Sequence, residues 1–242
     1  MQKKLDLLNV MIKDCDNIVC LAGMGLVDES HYPNHRSSAH AYETEKKYGY
    51  SPEELLSTRF YNTRPEQFYE YYRNEMLQEG EPWCAFYALK NLEQRGKLKA
   101  LVTRSVHGIA RKVGCQNVLE LHGNVHRNFC PRCKREYSVE YLKNYKDMVP
   151  VCEQCGVTIH PGLSLMGEMI DNSLMTTAIN AVENADLLLV LGCDMTSSLT
   201  TNLVKYYRGD KLVLINEKHH YLDEKADLVI HGSPSQILSK TV

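Results

Sequence analysis

The sequence lacks a long apolar run. Its longest purely aliphatic stretch is Leu187 to Leu191, far short of the roughly 20 residues a helix needs to cross a bilayer. It also lacks an excess of charge of either sign. The 28 Lys+Arg stand against 30 Asp+Glu, leaving a net charge of −2. Without a broad basic field, a nucleic-acid backbone has little to hold it, so a dedicated nucleic-acid binder is not expected. A secretory h-region is missing as well. Lys3 and Lys4 open the chain, but Lys13, Asp14 and Asp16 soon interrupt its apolar residues, and the expectation is a cytoplasmic protein with no membrane partner. Internal repeats and low-complexity tracts are absent. What remains is 242 residues, 43% of them apolar, enough for one domain with a real core.

Nine cysteines make an odd count, and a chain of this length does not need disulfide staples. In a reducing compartment the default is free thiols or metal ligands. Cys15, Cys20, Cys84, Cys115 and Cys193 lie scattered among apolar neighbours and read as small core residues. The other four form two C-x-x-C pairs, Cys130 with Cys133 and Cys152 with Cys155, with 18 residues between the pairs. Each such turn points two thiolates at one point, and two turns complete a tetrahedron around zinc. Pro131 and Gly156 are turn residues at the expected places. Four protein ligands leave no open position, so this zinc is structural. Basic residues such as Arg127, Arg132 and Lys134 are diluted by Glu136, Glu140 and Asp147, which suits a solvated face.

Elsewhere the pattern is one of short buried strands. Leu5, Leu8 and Ile12 sit at helical spacing, and Ile18 to Ala22 then reads as a strand running into Gly23-Met24-Gly25. Further apolar runs lie at 100–103, 118–121, 187–191, 212–215 and 228–230, with helical patterns at 83–92 and 174–182. Buried strands alternating with helices predict an α/β fold with a parallel, doubly wound, Rossmann-like sheet. Two stretches break the rhythm. Residues 31–80 are Tyr-rich and charged and are expected to form a helical insert; residues 124–160 form the zinc-ribbon module. The core is then about 1–30, 81–123 and 161–242, all within a single domain over 1–242.

The first strand with its Gly-x-Gly is half of a dinucleotide fingerprint, in which glycine backbone approaches a pyrophosphate. Two more strand ends converge on the same edge, Gly192-Cys193-Asp194 and Asn216-Glu217. An Asn or Glu there suits a ribose hydroxyl, although a polar turn would read the same way.

Taken in order, these pieces resemble the sirtuin family of NAD-dependent protein deacylases. VCLAGMGLVDESHYPNHR, residues 19–36, resembles the family's G-A-G-x-S-x-x-S-G-I-P-D-F-R loop, with Gly23, Gly25, Glu29, Ser30, Pro33 and Arg36 on matching positions. Residues 50–73 resemble its helical segment. Residues 92–124 resemble the region carrying its T-Q-N-x-D motif and its catalytic L-H-G histidine, which falls on His122. The zinc cysteines come next at family spacing, and HPGLSLMGE resembles its R-P-x-V-V-x-F-G-E segment. Gly192, Asn216 and Gly232 complete the order. The resemblance spans nearly the whole chain. It implies NAD as cofactor, one structural zinc and an acylated-lysine protein or peptide as partner. It also implies a mechanism in which the acyl oxygen attacks the nicotinamide ribose, nicotinamide leaves, and His122 acts as general base on a ribose hydroxyl. Cofactor contacts are implied for Gly23, Met24, Gly25, Glu29, Arg36, Arg104, Ser105, His107, Gly192, Cys193, Asp194, Asn216 and Glu217.

The chain departs from the family where the chemistry lies. The T-Q-N-x-D motif reads Thr103-Arg104-Ser105-Val106-His107, so Arg replaces Gln, Ser replaces Asn and His replaces Asp. In the cofactor loop Val27 stands for a Ser, Asn34 for the Asp and His35 for the Phe, and Asp194 takes a Ser position in the phosphate loop. A carboxylate beside a pyrophosphate is repulsive unless a cation such as Arg36 or Arg104 intervenes. Ser105 and His107 are therefore expected to weaken the nicotinamide end more than the adenosine end. Three functions fit: an NAD-dependent protein-lysine deacylase of reduced rate, ADP-ribosyl transfer or NAD hydrolysis on the same fold, and a non-catalytic NAD or ADP-ribose binder.

Overall fold

The computed structural model describes residues 1–30, 32–35 and 37–241. In chain order the strands are β1 (Ile18–Ala22), β2 (Leu98–Thr103), β3 (Val118–Glu120), β4 (Asn128–Phe129), β5 (Glu136–Tyr137), β6 (Leu187–Leu191), β7 (Leu212–Asn216) and β8 (Leu228–His231). Six of them form one sheet in the order β3-β2-β1-β6-β7-β8, every neighbouring pair parallel. This is the doubly wound arrangement expected. The order reverses between β1 and β6, and the crevice beyond the strand ends at such a switch point is where open α/β sheets bind ligands.

The apolar runs are continuous because both faces of the sheet are covered. On β1, Ile18, Cys20 and Ala22 enter one core while Val19 and Leu21 enter another. On β6, Leu187, Leu189 and Leu191 divide from Leu188 and Val190 in the same way. The first core is closed by the helices Gln2–Asp14, through Leu5, Leu8 and Ile12, and Cys84–Gln94, through Phe86, Leu89 and Leu92. The second is closed by the helix Asn172–Glu183, through Ala178 and Val182. Cys15, Cys20 and Cys115 are core residues and Cys193 is half-buried, but Cys84 is exposed. It opens its helix one position off the apolar face, so the expectation of five core thiols is corrected there.

Among the described residues between β1 and β2 every regular element is helical. Ser37, Ser51 and Ser57 each cap a helix by accepting from the backbone three residues on; Pro52 starts one of these, and Pro65 starts the next helix, Pro65–Tyr71. Less expected is what this insert packs against. Leu55, Phe68 and Tyr69 share one core with Leu142, Ile159 and Leu163 of the cysteine-bearing segment and its exit. The sequence reads as two inserts; the structure makes them one lobe. The tyrosines account for this, because each brings apolar area and one hydroxyl that must be satisfied. The Tyr69 hydroxyl donates to the Ile159 carbonyl, and that of Tyr72 donates to Asn128 Oδ1 at 2.9 Å. Among the described residues no helix is long and apolar enough to cross a membrane.

Lobe and sheet meet where the backbone after β3 runs against Gly162–Ser164. Asn124 N–H donates to Gly162 O at 2.8 Å and Ser164 N–H to His122 O at 2.8 Å. A Cβ at Gly162 would stand 2.1 Å from Asn124 O, whereas one at Gly49, a helix C-cap at φ +76, would meet nothing within 4 Å. Gly162→Ala should therefore destabilise by about 3 kcal/mol or more through overpacking against backbone. Gly49→Ala should cost only the left-handed strain, about 1 kcal/mol. Denaturant unfolding of the two variants checks this; equal losses would contradict it.

Candidate active site

The glycine loop after β1 does something other than reach for phosphate. Gly23 N–H donates to Leu191 O at 2.8 Å and Gly25 N–H to Gly192 O at 2.7 Å. A Cβ on Gly23 would lie 2.4 Å from Cys193 Cβ, and one on Gly25 2.7 Å from Gly192 O. The glycines are needed because the loops leaving β1 and β6 cross here, and their amides are spent on the crossing. The Gly23 and Gly25 N–H groups are thus bonded to β6 and its loop, and any approach to a pyrophosphate is left to the rest of this backbone. Glu29 is also engaged elsewhere. Its carboxylate accepts from Ser235 N–H at 3.2 Å, from Ser235 Oγ at 2.6 Å and from the Ser233 hydroxyl, all at the start of the helix Pro234–Leu238. Arg36 lies outside the described residues.

The β6 loop carries its own anion. Asp194 Oδ1 accepts from Thr196 N–H at 2.8 Å, Thr196 Oγ1 at 2.6 Å and Ser197 N–H at 3.0 Å. Burial works against the charge, but these bonds and the nearby His220 outweigh it and hold the carboxyl below its usual range. Donors that could meet a phosphate are thus taken by a carboxylate of the chain itself. Burial pushes the neighbouring Cys193 thiol up to about 12, against the opposing Ser197 bond, so it stays a thiol. Asn216, at the end of β7, is buried and donates to Lys218 O at 3.1 Å, while Glu217 is exposed.

Beside this crossing lies a cavity of about 340 Å³. Met24, Arg104, Ser105, His107 and His122 all line it, together with His35. Across from them stand Leu163 to Glu168, and the insert contributes Leu56 and Met76. Met76 closes a π-helical turn, Tyr72–Met76, a distortion that frequently accompanies functional sites. The turn after β2 is anchored by Thr103 Oγ1, which donates to Ala22 O at 3.1 Å and accepts from Ser105 N–H at 3.1 Å. The structure therefore gathers the altered motif, the histidine and the extended segment around one space, while Gly192, Cys193, Asp194, Asn216 and Glu217 lie along the strand ends outside it.

The two substituted histidines are the least expected feature. His107 is 2% exposed and His35 is 7% exposed. His107 Nε2 lies 3.1 Å from Pro33 O. A carbonyl only accepts, so Nε2 carries the proton and Nδ1 is an acceptor. That Nδ1 and His35 Nε2 have no partner. His35 Nδ1 pairs with His40 Nε2 at 3.0 Å. Burial, then the neighbouring His107 and His40, lowers His35 to about 3. Burial lowers His107 to about 4 despite the Pro33 bond. Both rings are neutral at pH 7, so the lost amide and carboxylate are replaced by two uncharged ring nitrogens and a hydroxyl, not by blank wall. The pairing of His35 with His40 and the hydrogen bond from Arg104 Nε to His122 Nε2 had no sequence signal, because neither pairing obeys a helix or strand period.

The four cysteines come together as their spacing required. All four Sγ atoms lie within 4.8 Å of one another, and Cys133 and Cys152 Sγ are 3.7 Å apart. Sulfurs bound 2.3 Å from one tetrahedral zinc stand roughly 3.8 Å apart, so the cage fits. The two knuckles are built alike. Lys134 N–H donates to Cys130 O and Cys130 N–H to Arg135 O; Gly156 N–H donates to Cys152 O and Cys152 N–H to Val157 O. The hydrogen bond from Tyr137, helped by backbone N–H groups, pushes the Cys152 thiol down to about 6. Burial, with the surrounding sulfurs, pushes Cys155 up to about 12. A dication resolves that conflict by stabilising all four thiolates.

A doubly wound sheet, a four-sulfur knuckle pair in a side lobe, and a histidine-bearing cavity between them define a dinucleotide-type α/β protein with a zinc lobe. The comparisons narrow this. The Sir2 family profile matches residues 2–198, and the chain belongs to that family. An NAD-dependent protein deacetylase of Clostridium tetani is 38% identical over 236 residues, covering 97% of this chain and 96% of the relative. That of Clostridium acetobutylicum is 35% identical over 240 residues, covering 99% and 98%. Among solved structures, a Sir2 homologue complexed with NAD superposes with TM-score 0.84 at 28% identity, covering 98% of this chain and 91% of that one. Sir2 bound to acetylated peptide superposes with TM-score 0.79 at 26% identity, covering 99% and 96%.

The site generates two expected outcomes. One zinc per chain is expected in purified protein, and Cys130→Ala should give unstable or insoluble material, since structural zinc contributes folding energy directly; metal analysis of well-folded wild type showing none would refute this. The second concerns pH. His35 and His107 have folded values below the unfolded 6.5, so the unfolded chain binds more protons between about pH 6.5 and the folded values of about 4 and about 3. Their contribution is complete above pH 6.5 and is lost as pH falls, on the order of 3 kcal/mol for each ring by pH 4. Melting temperature measured against pH should drop in that window, and a His35→Phe, His107→Phe double variant should drop less.

Proposed function

We propose that this chain is an NAD-dependent protein-lysine deacylase. The observation that carries the reading is that His122 and the Leu163–Met166 segment face one cavity at the switch-point side of the sheet. Bound NAD would supply the leaving nicotinamide and the ribose that accepts the acyl group. His122 Nε2 accepts from Arg104 Nε at 2.8 Å. That nitrogen therefore carries no proton, as a general base on a ribose hydroxyl requires. His107 Nδ1 and His35 Nε2 would meet the carboxamide end, and Met24, Leu163 and Leu165 exclude water around the acyl group.

The peptide would lie extended between Pro161–Glu168 and the loop after Gly192. Met166 already pairs with the insert on one edge, its N–H donating to Leu56 O at 2.8 Å and its carbonyl accepting from Thr58 N–H at 3.0 Å. A strand added by main-chain bonding suits many peptide sequences. Gly192, Cys193, Asn216 and Glu217 are left as adenosine-side wall, with Asp194 requiring a cation between it and the phosphates. The free thiols suit a cytoplasmic setting.

The test is to incubate pure protein with NAD and an acetyl-lysine peptide and to measure nicotinamide and peptide together. Both nicotinamide and deacylated peptide are expected, and His122→Ala should lower turnover by at least a hundredfold while ADP-ribose still binds. Nicotinamide without deacylation would replace this reading by ADP-ribosyl transfer or NAD hydrolysis. Binding without any turnover would leave a nucleotide sensor.

A further inference from the structure

Arg104 stands where the family motif has a glutamine, and it touches two things at once. Its Nε donates to His122 Nε2 at 2.8 Å, and its Nη1 donates to the Ser198 hydroxyl. Ser198 opens the helix Ser198–Leu203, directly after the Asp194–Ser197 turn of the β6 loop. Arg104 and His122 also line two spaces, the cavity of about 340 Å³ and a smaller one of about 70 Å³ against Leu199 and Asn202. The pair is the partition between them.

A guanidinium does not give up its proton, so His122 Nε2 is held as an acceptor and the ring is neutral with its proton on Nδ1. While that bond stands, the same nitrogen cannot take a proton from a hydroxyl. We propose that Arg104 is a positioning residue that latches His122 in the ligand-free protein, and that a diphosphate-bearing nucleotide draws the guanidinium away and so frees the base. The role of the freed nitrogen rests on the deacylase reading; the latch itself does not. The pull has a chemical origin. A diphosphate placed at the β6 loop meets the Asp194 carboxylate, whose nearby N–H donors are already occupied, and like charges there need a cation. Arg104 already reaches that loop through Ser198. A bidentate guanidinium–phosphate pair is stronger than a single donation to a neutral imidazole. Among the described residues on the cavity wall no other cation substitutes for it. His35 and His107 are neutral. Glu168 is held by Leu165 N–H at 2.8 Å and His160 at 2.8 Å, and Glu53 belongs to the insert.

The experiment compares wild type with Arg104→Gln by NMR of the His122 imidazole, titrated first alone and then with saturating ADP-ribose. Without ligand, His122 in the variant should take up its proton about one pH unit higher than in wild type, because the neighbouring cation is gone. With ADP-ribose the difference should shrink to about 0.3 unit or less, since the guanidinium has then left in wild type too. The direct field of the phosphates acts on both proteins and cancels in the comparison. Equal ligand-free midpoints, or a gap that persists in the complex, would overturn the latch, whether or not the protein turns over. Where it does, the acid limb of kcat/KM, which reports the free enzyme, should move up in the variant, and that of kcat, which reports the complex, should not. A thermal melt within a few degrees of wild type, with Arg104→Lys restoring part of the ligand-free gap, separates the latch from damage to the fold.

Discussion

The contact on which the rest of the structure depends is a short stretch of backbone against backbone, His122–Asn124 against Gly162–Ser164. On one side lies the end of β3, fixed in the sheet; on the other lies the exit from the cysteine segment, fixed in the lobe. Two backbone hydrogen bonds of 2.8 Å join them, and at Gly162 not even a Cβ fits between. Because the carbonyl of His122 takes part, the backbone that carries the imidazole is fixed by the joint, and Arg104 fixes the ring. A cavity formed between a sheet and a separate lobe has no intrinsic shape, and this seam supplies it.

The second constraint is the crossing of the loops from β1 and β6. Its glycines resemble a phosphate cradle in sequence, but their amides close the joint between strands. Charge at this edge is then managed by side chains instead. Asp194 satisfies the loop's own N–H groups, and Arg104 spans from the histidine to the loop's far end. The altered motif residues form one consistent set in this light, with neutral imidazoles in the buried half and a cation at its border.

Much of the fold was legible in the sequence. The continuous apolar runs became strands because a strand covered on both faces needs no alternation, and β1 and β6 fall on the residues expected. The cysteines were equally legible, since a metal cage is set by spacing within short turns. The site was legible only in part. That His122 and the residues after Thr103 share a cavity came from their places at adjacent strand ends. That Arg104 bonds His122 and Ser198 did not, nor that Glu29 leaves the site for Ser235, 206 residues away. Such pairings depend on where long polar side chains end, and no period records that. The lobe was missed for a related reason: Tyr69 and Tyr72 read as polar insert residues until the carbonyl and amide that receive their hydroxyls are known.

Those two tyrosines carry a further consequence. Their helix and π-turn lead directly to Met76 on the cavity wall, and their rings rest in the same core as Cys130, Cys152 and Ile159. The sulfur cage and the cavity wall thus share one core, and among the described residues the lobe has no disulfide to stand in for the metal. Metal supply therefore reaches the reaction mechanically. A copy without its ion loses the packing under Tyr69, Tyr72 and Met76, and with it the wall against which an acyl chain would be gripped. Starvation for zinc would then remove the catalyst itself, with no change in its sequence.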